Sequence, residues 1–183
     1  MLRAGDSFQN PETGTRFEIL RAPADGGDVL ELRRRSKPSK GKVVPHVHLD
    51  YREHFVIEDG AATARLGRRT VALGPGDEFD VAVSESHVNP YNESNADLVY
   101  RHSFEPASDF ALGYVETLGH LMREGRVDGQ DEVPLPAAFA VANATRSRTY
   151  ASIAPHGLQR GLLFPLGTLL ARVRGYELRL PGG

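Results

Sequence analysis

Three histidines and a glutamate lie close together in the stretch KVVPHVHLDYREHFVIEDG, residues 42–60. His46 and His48 are two residues apart, so on a β-strand their side chains lie on the same face and can converge on one point. Glu53 follows after enough chain for a tight turn and the start of a neighbouring antiparallel strand. Imidazole nitrogens and a carboxylate together suit one divalent transition metal ion, Fe, Mn, Ni, Cu or Zn. The spacing therefore predicts a metal site.

The third histidine of this stretch has a different expected role. His54 is adjacent to Glu53 in sequence, so its side chain points to the opposite face of the strand. We expect it to be exposed to solvent or to lie in an interface. His120 and His156 are expected on the surface, because His120 is off the apolar stripe of its predicted helix and His156 follows Pro155 in a turn.

Composition limits the kinds of site that the chain can form. It has 183 residues, a formal net charge of -2 and no cysteine. Disulfides, thiolate zinc sites and cysteine nucleophiles are therefore excluded, and a metal must be held by His, Asp or Glu. The arginines are scattered among acidic residues, so we expect no nucleic-acid partner.

The sequence predicts neither a signal peptide nor a membrane-spanning segment. The first ten residues, MLRAGDSFQN, lack an apolar core of the kind found in signal peptides. The most apolar stretch, Gly161 to Val173, is too short to span a bilayer and contains Pro165, so it is expected to form a buried, kinked helix. We expect a cytoplasmic protein with no membrane partner.

Two regions of the sequence differ in periodicity. Between Phe17 and Glu105, short β-rich runs alternate with turn residues, which favours an all-β sandwich or barrel. After Pro106, apolar residues recur at three- and four-residue intervals over residues 111–122, which predicts an amphipathic helix. A second helix is expected over 136–150 and a third segment up to Arg174. The predicted division is a β-barrel over 1–107 and a helical extension packed on it over 108–183.

The spacing of Gly41, His46, His48, Glu53 and Gly60 resembles the first sequence motif of the cupin superfamily. The stretch LGPGDEFDVAVSESHVNPYN, residues 73–92, resembles the second, with its turn at residues 74–77, a metal-binding His87 and Asn92. The resemblance implies that His87 is the fourth metal ligand. Glu85, two residues earlier, is an alternative or additional ligand if the loop differs.

The whole chain is similar to small bacterial cupins that share its NPETG opening at residues 10–14 and a helical tail. That resemblance implies a conical double-stranded β-barrel of the jelly-roll type with a C-terminal α-helical extension, and a homodimer. The extension is expected to cover one face of the barrel. An alternative is that Phe110 or Tyr114 forms a lid at its mouth.

Catalytic candidates outside the metal shell lie on the strand DLVYRHSF, residues 97–104. If its more apolar face lines the cavity, Tyr100 and His102 are the acid–base or substrate-orienting groups. In the opposite orientation Arg101 points inward. Tyr91 is a further candidate base, and Arg65 or Arg101 could assist substrate binding.

Three functions are compatible with these residues. A metal-dependent oxygenase acting on a small organic molecule is favoured, because such activity is common among the single-barrel cupins that the chain resembles. A non-redox isomerase, epimerase, cyclase or lyase needs a base beyond the ligands, which the residues just named could supply. A metal- or small-ligand-binding protein without turnover is the third possibility, because a fold alone does not establish activity.

Overall fold

The computed structural model describes residues 1–38 and 44–181 of the chain. Gly41 of the first motif lies outside these residues. The described part contains eleven strands: β1 Ser7–Gln9, β2 Arg16–Arg21, β3 Leu30–Ser36, β4 His46–His48, β5 Arg52–Asp59, β6 Ala62–Leu66, β7 Arg69–Leu73, β8 Glu78–Val81, β9 His87–Tyr91, β10 Leu98–Glu105 and β11 Thr149–Ala151. The α-helices are α1 Asp109–Arg123, α2 Leu135–Ala144, α3 His156–Leu158 and α4 Phe164–Val173.

The strands form two antiparallel sheets. The first has the order β1-β2-β3-β10-β5-β8 and the second the order β11-β4-β9-β6-β7. Phe55, Ile57 and Leu98 of the first sheet pack against Ala62 and Ala64 of the second in one buried cluster. The two sheets therefore face each other and enclose a core, which confirms the predicted all-β barrel with a helical extension.

Strand β5 shows how sequence alternation determines which side chains enter the barrel. Glu53, Phe55 and Ile57 are each at most 1% exposed, while the residues between them are partly exposed. The strand is followed directly by Gly60, whose φ is 83° and where a Cβ atom would lie 2.2 Å from the carbonyl oxygen of Asp97. Only glycine avoids both the strain and the clash, which explains a glycine at this point of the first motif.

Helix α1 is the predicted amphipathic helix. Ser108 caps its start, since the Ser108 hydroxyl accepts a hydrogen bond from the backbone amide of Ala111. Its apolar face, including Val115 and Leu118, packs on Phe8 and Phe17 of β1 and β2 in a second buried cluster. The helix thereby covers the outer end of the first sheet.

The second helix is shorter than the sequence predicted. Helix α2 ends at Ala144, and Arg146 adopts a positive φ of 52° that breaks the helical path. Thr149–Ala151 instead form β11, which pairs antiparallel with β4 so that Thr149 lies opposite His48. The extension therefore contributes a strand to the second sheet, beside two of the predicted metal ligands.

The last apolar stretch forms one helical segment, from α3 through a π-helical turn at Gln159–Leu163 into α4. Pro165 lies in the first turn of α4, where a proline without an amide proton is tolerated, and the irregular turn comes directly before it. No helix among the described residues has both the length and the apolar character needed to cross a membrane.

Candidate metal centre

Four side chains converge between the two sheets. His46 and His48 of β4 and His87 of β9 come from the second sheet, and Glu53 of β5 reaches across from the first. One ligand atom from each lies within 4.8 Å of all the others. The sequence predicted a strand carrying Glu53 next to β4, whereas the structure places that strand in the facing sheet. Ligands from both walls surround one point, as a metal site requires.

The buried polar atoms at this point fit a metal ion. Nε2 of His48, Nε2 of His87 and Oε2 of Glu53 are all buried and have no hydrogen bond of acceptable geometry among the described residues. Glu53 Oε2 lies 2.7 Å from His87 Nε2 and 3.3 Å from His48 Nε2. Buried polar atoms are rarely left without partners. Lone pairs that point at one another without a proton between them are the donor set that a cation completes.

Each of the three histidine rings is held in place by a contact at its Nδ1 atom. His46 Nδ1 lies 3.2 Å from the carbonyl oxygen of Val44, and His87 Nδ1 lies 3.2 Å from that of Glu85. His48 Nδ1 lies 3.0 Å from the hydroxyl of Thr149, on β11. Carbonyl oxygens only accept hydrogen bonds, so Nδ1 of His46 and of His87 carries the proton and Nε2 is left as the metal-binding atom.

Glu53 is oriented by His102. His102 Nε2 lies 3.0 Å from Glu53 Oε1, so that the other carboxylate oxygen, Oε2, is directed toward His48 and His87. The His102 ring is stacked on Phe55 at 4.1 Å and contacts Phe104 at 4.0 Å between ring centroids. His102 therefore contacts Glu53 but is not one of the four residues that could hold a metal.

The electrostatics of the site favour an ionised Glu53 and neutral imidazoles at His46 and His102, whereas at His87 the effect of burial is outweighed by that of Glu53, which raises the pKa. Burial opposes the charge on Glu53, but His48 and His102 outweigh it and hold the pKa of Glu53 well below its ordinary value. Burial lowers the pKa of His46 well below its ordinary value, and it lowers that of His102 despite Glu53. A carboxylate with neutral imidazoles is the protonation state that binds metal.

A cavity of about 240 Å³ is lined by three of the four side chains, those of His46, His48 and Glu53. One wall is the barrel, with Tyr100 and His102 on the inward face of β10. The opposite wall belongs to the extension, where Phe110 and Tyr114 of α1 line the cavity together with residues of α2. The helical segment therefore closes one side of the cavity as well as covering the barrel.

Arg34 is a cavity residue that the sequence analysis missed. It forms an ion pair with Glu132, and its Nη2 donates to the carbonyl oxygen of Gln130 at 2.8 Å. Tyr114 donates to the other oxygen of Glu132 at 2.9 Å. The Nε atom of Arg34 is buried without a partner among the described residues. Strand alternation could have found it, because Leu30, Leu32 and Arg34 share one face of β3.

Other residues of the sequence analysis lie away from the four ligands. Arg101 points outward and pairs with Glu31 and Glu58, and Arg65 does not line the cavity. The carboxylate of Glu85 accepts from the backbone amide of Ala82, 3.3 Å away, so Glu85 is not among the four.

The remaining histidines and the motif asparagine also have other contacts. His54 pairs with Asp80 on the opposite face of β5, 2.9 Å away, and His156 is exposed. His120 is less exposed than expected, with 16% of its side chain accessible beside Glu177. Asn92 donates to the carbonyl oxygen of Ala96 at 2.7 Å and thereby shapes the loop after β9.

Two facing antiparallel sheets thus hold a His-x-His pair, a distant histidine and a glutamate at the spacings of the two cupin motifs. The chain has a cupin fold. Among solved structures it is similar to a sugar phosphate isomerase of the cupin superfamily from Silicibacter pomeroyi, with 18% identity over 48% of this chain and 58% of that chain and a TM-score of 0.41.

Two further solved structures show the same degree of similarity. A predicted oxalate decarboxylase from Thermotoga maritima has 20% identity over 57% of this chain and 97% of its own, with a TM-score of 0.45. KdgF from Halomonas sp. has 21% identity over 57% of this chain and 88% of its own, with a TM-score of 0.44. No protein-family model and no curated protein matches the sequence. These similarities carry no statement about the activity of this protein.

Proposed function

We propose that this cupin is a metal-dependent enzyme acting on a small organic molecule, and that it is an oxygenase. The observation that carries the proposal is the set of buried, unpartnered ligand atoms of His48, Glu53 and His87, of which His48 and Glu53 line a largely apolar cavity. A redox-active divalent metal held there would supply the activation of dioxygen. The apolar walls exclude water from the reacting molecule.

We infer that Arg34 and Asn89 contact the substrate. The Nε–H of Arg34 and the Oδ1 atom of Asn89 are buried without partners among the described residues, and both residues line the cavity. A buried donor and a buried acceptor each gain from a matching group on a ligand. We infer a mostly apolar substrate that carries an acceptor oxygen for Arg34 and a hydroxyl or amine for Asn89.

Tyr100 and His102 are assigned different roles in this proposal. The ring proton at Nε2 of His102 is held by Glu53, so we propose that His102 positions the carboxylate ligand. Tyr100 is buried and lies opposite Arg34 in the pairing of β10 with β3. Burial raises the pKa of Tyr100, so its phenol remains protonated and can donate a hydrogen bond to the substrate.

A non-redox isomerase, epimerase, cyclase or lyase is the second candidate. It is favoured by titratable side chains that line the cavity outside the metal shell, namely Tyr91, Tyr100 and Glu132. Such a reaction needs a group that moves a proton while the metal polarises a carbonyl. The same metal site serves both reactions, so dioxygen consumption separates them.

The deciding experiment begins with metal analysis of protein purified without added metal. Oxygen uptake is then recorded with a panel of hydroxylated carbonyl and aromatic compounds, and turnover of each compound is compared under air and under argon. Bound Fe, Ni, Mn or Cu with substrate-dependent oxygen uptake supports the oxygenase. Stoichiometric zinc with equal turnover under argon would support the isomerase or lyase class instead.

A separate measurement distinguishes an enzyme from a metal-binding protein without turnover. We expect protein reconstituted with Co²⁺ to change its visible spectrum on addition of azide, because a catalytic site keeps a coordination position open. A spectrum insensitive to azide would indicate a saturated metal and would contradict both enzymatic proposals.

A further inference from the structure

An apolar stripe lies exposed on the helical segment formed by α3, the π-helical turn and α4. Its members, which we call the leucine stripe, have between 39% and 76% of their surface accessible: Leu158, Leu162, Leu166, Leu169, Leu170 and Val173. They recur at intervals of one, three and four residues, and intervals of three and four bring side chains onto one side of a helix. Contiguous exposed apolar surface of this kind usually marks an interaction site.

The opposite side of the same segment packs against the rest of the protein. Phe164, Gly167 and Ala171 are buried, and Phe164 packs on Phe139 of α2 with ring centroids 5.5 Å apart. A Cβ atom at Gly167 would lie 2.4 Å from the Cβ atom of Phe139, which shows how closely the two helices approach. The leucine stripe therefore faces away from the protein and is not part of its core.

The part of the chain that carries the stripe, residues 133–176, contains charges of one sign only, and acidic groups lie next to it at Glu177, which pairs with Arg179, and at Asp50 near Arg148. Residues 133–176 contain five arginines and no aspartate or glutamate, although the whole chain has 24 acidic residues and a net charge of -2. All five arginines are exposed: Arg146, Arg148, Arg160, Arg172 and Arg174. A cationic apolar surface on an otherwise acidic protein is a strong asymmetry, and such asymmetry is typical of contact with an anionic partner.

The exposed leucines and the neighbouring arginines together distinguish between possible binding partners. A second copy packed stripe against stripe would bring arginines against arginines, because residues 133–176 offer no acidic group to pair with them. Nucleic acid would match the arginines but would leave the leucines in water. The surface of an anionic lipid bilayer matches both, because leucines enter the boundary between headgroups and acyl chains while arginines meet the lipid phosphates.

We propose that the leucine stripe docks this cupin onto the surface of anionic membranes, with the helical segment lying in the plane of the interface. No membrane partner was expected from the sequence, because the segment is too short to span a bilayer. A helix that lies on the surface does not need that length. The proposal is independent of the metal chemistry proposed above.

The test is co-sedimentation of the whole protein with lipid vesicles. One set consists of phosphatidylcholine, and the other contains in addition roughly one-third phosphatidylglycerol, an anionic lipid. We expect binding to the second set at low salt and weaker binding at high salt. Replacing both Arg172 and Arg174 with Gln should weaken binding roughly 25-fold, because each arginine near an anionic surface contributes about a factor of five.

Two further variants separate docking from folding. The triple change Leu162→Ser, Leu166→Ser and Leu169→Ser affects only exposed side chains, so thermal unfolding should stay near the wild type while vesicle binding is lost. The matched charge control replaces Arg68 and Arg69, at the hairpin of β6 and β7 on the far edge of the second sheet, with Gln. It removes the same charge and should bind like the wild type.

Three outcomes would overturn the proposal. The first is equal binding to both vesicle compositions, which would leave the arginines without a role. The second is no binding at low salt. The third is a dimer by analytical ultracentrifugation that the triple serine variant converts to a monomer, since the stripe would then be covered by a second copy.

Discussion

The three histidines of the candidate metal centre differ in what holds their rings. His46 and His87 are held by carbonyl oxygens two residues away in sequence, which no side-chain substitution removes. His48 is held by the hydroxyl of Thr149, 101 residues later. The sequence indicated which residues would share a strand face, but a contact between distant residues depends on tertiary packing.

Removal of a ligand is the direct test of the site at this scale. His48→Ala and His87→Ala should each lower metal affinity by more than the roughly 10–100-fold typical of a change outside the ligand shell. Metal content after dialysis, measured by elemental analysis, checks this. His54→Ala is the matched control because it pairs with Asp80 on the outer face. Full metal content in either ligand variant would contradict the assignment.

Buried tyrosines give the protein a predictable response to alkaline pH. Burial raises the pKa of Tyr114 well above its ordinary value, and the charge of Glu132 adds to the effect; burial also raises the pKa of Tyr100. In the unfolded chain both phenols ionise near pH 10. The stabilisation from their protonated forms is therefore complete below about pH 10 and is lost above it.

Urea unfolding at a series of pH values measures this effect. Above pH 10 the free energy of unfolding should fall by about 1.4 kcal/mol per pH unit for each such tyrosine. Tyr114→Phe should make this decrease smaller by about 1.4 kcal/mol per pH unit, the contribution of one tyrosine. An unchanged slope in the variant would show that Tyr114 does not contribute.

Among the elements, β11 links the extension to the metal centre. A strand of three residues gains its stability from pairing with β4, so local propensity could not predict it, and the sequence pattern continued the helix to Tyr150. By contrast, β5 and α1 were predictable because their alternation and helical periodicity are strong. Two features were not inferred from the sequence. Glu53 comes from the sheet that faces β4 and β9, and Arg34 lines the cavity.

Thr149→Val tests the contribution of β11 to the site. It keeps the shape of the side chain but removes the acceptor for His48 Nδ1, so metal affinity should fall about 10–100-fold. Metal titration by calorimetry measures the change. Thr70→Val, on the exposed edge strand β7, is the matched control and should leave affinity unaltered.

The close contact of α2 with α4 gives a second test at this scale. Gly167→Ala places a methyl group against Phe139 and should destabilise the protein by about 1–3 kcal/mol. Gly161→Ala meets no atom within 4 Å and should be neutral or slightly stabilising. Thermal unfolding of the two variants side by side checks the difference; equal stabilities would mean that the helices are less tightly packed than described.

At the scale of the whole molecule, the barrel and the extension contribute different parts of the site. The barrel supplies all four side chains that could hold a metal, and the extension supplies one wall of the cavity and the support of His48. Composition and motif spacing predicted the barrel, the helices and the ligands. Which surface of the extension would remain exposed depends on how α2 and α4 pack, so the orientation of the leucine stripe became visible only in the structure.

The separation of charge has a consequence for the behaviour of the protein in purification. With a net charge of -2 at pH 7, it is expected to pass through a column of negatively charged resin. A resin bead, however, contacts one side of a molecule at a time. The charged residues within 133–176 are all arginines, so this side of the molecule can bind a negatively charged resin. The protein should therefore bind to both cation- and anion-exchange resins at neutral pH and low salt, in opposite orientations.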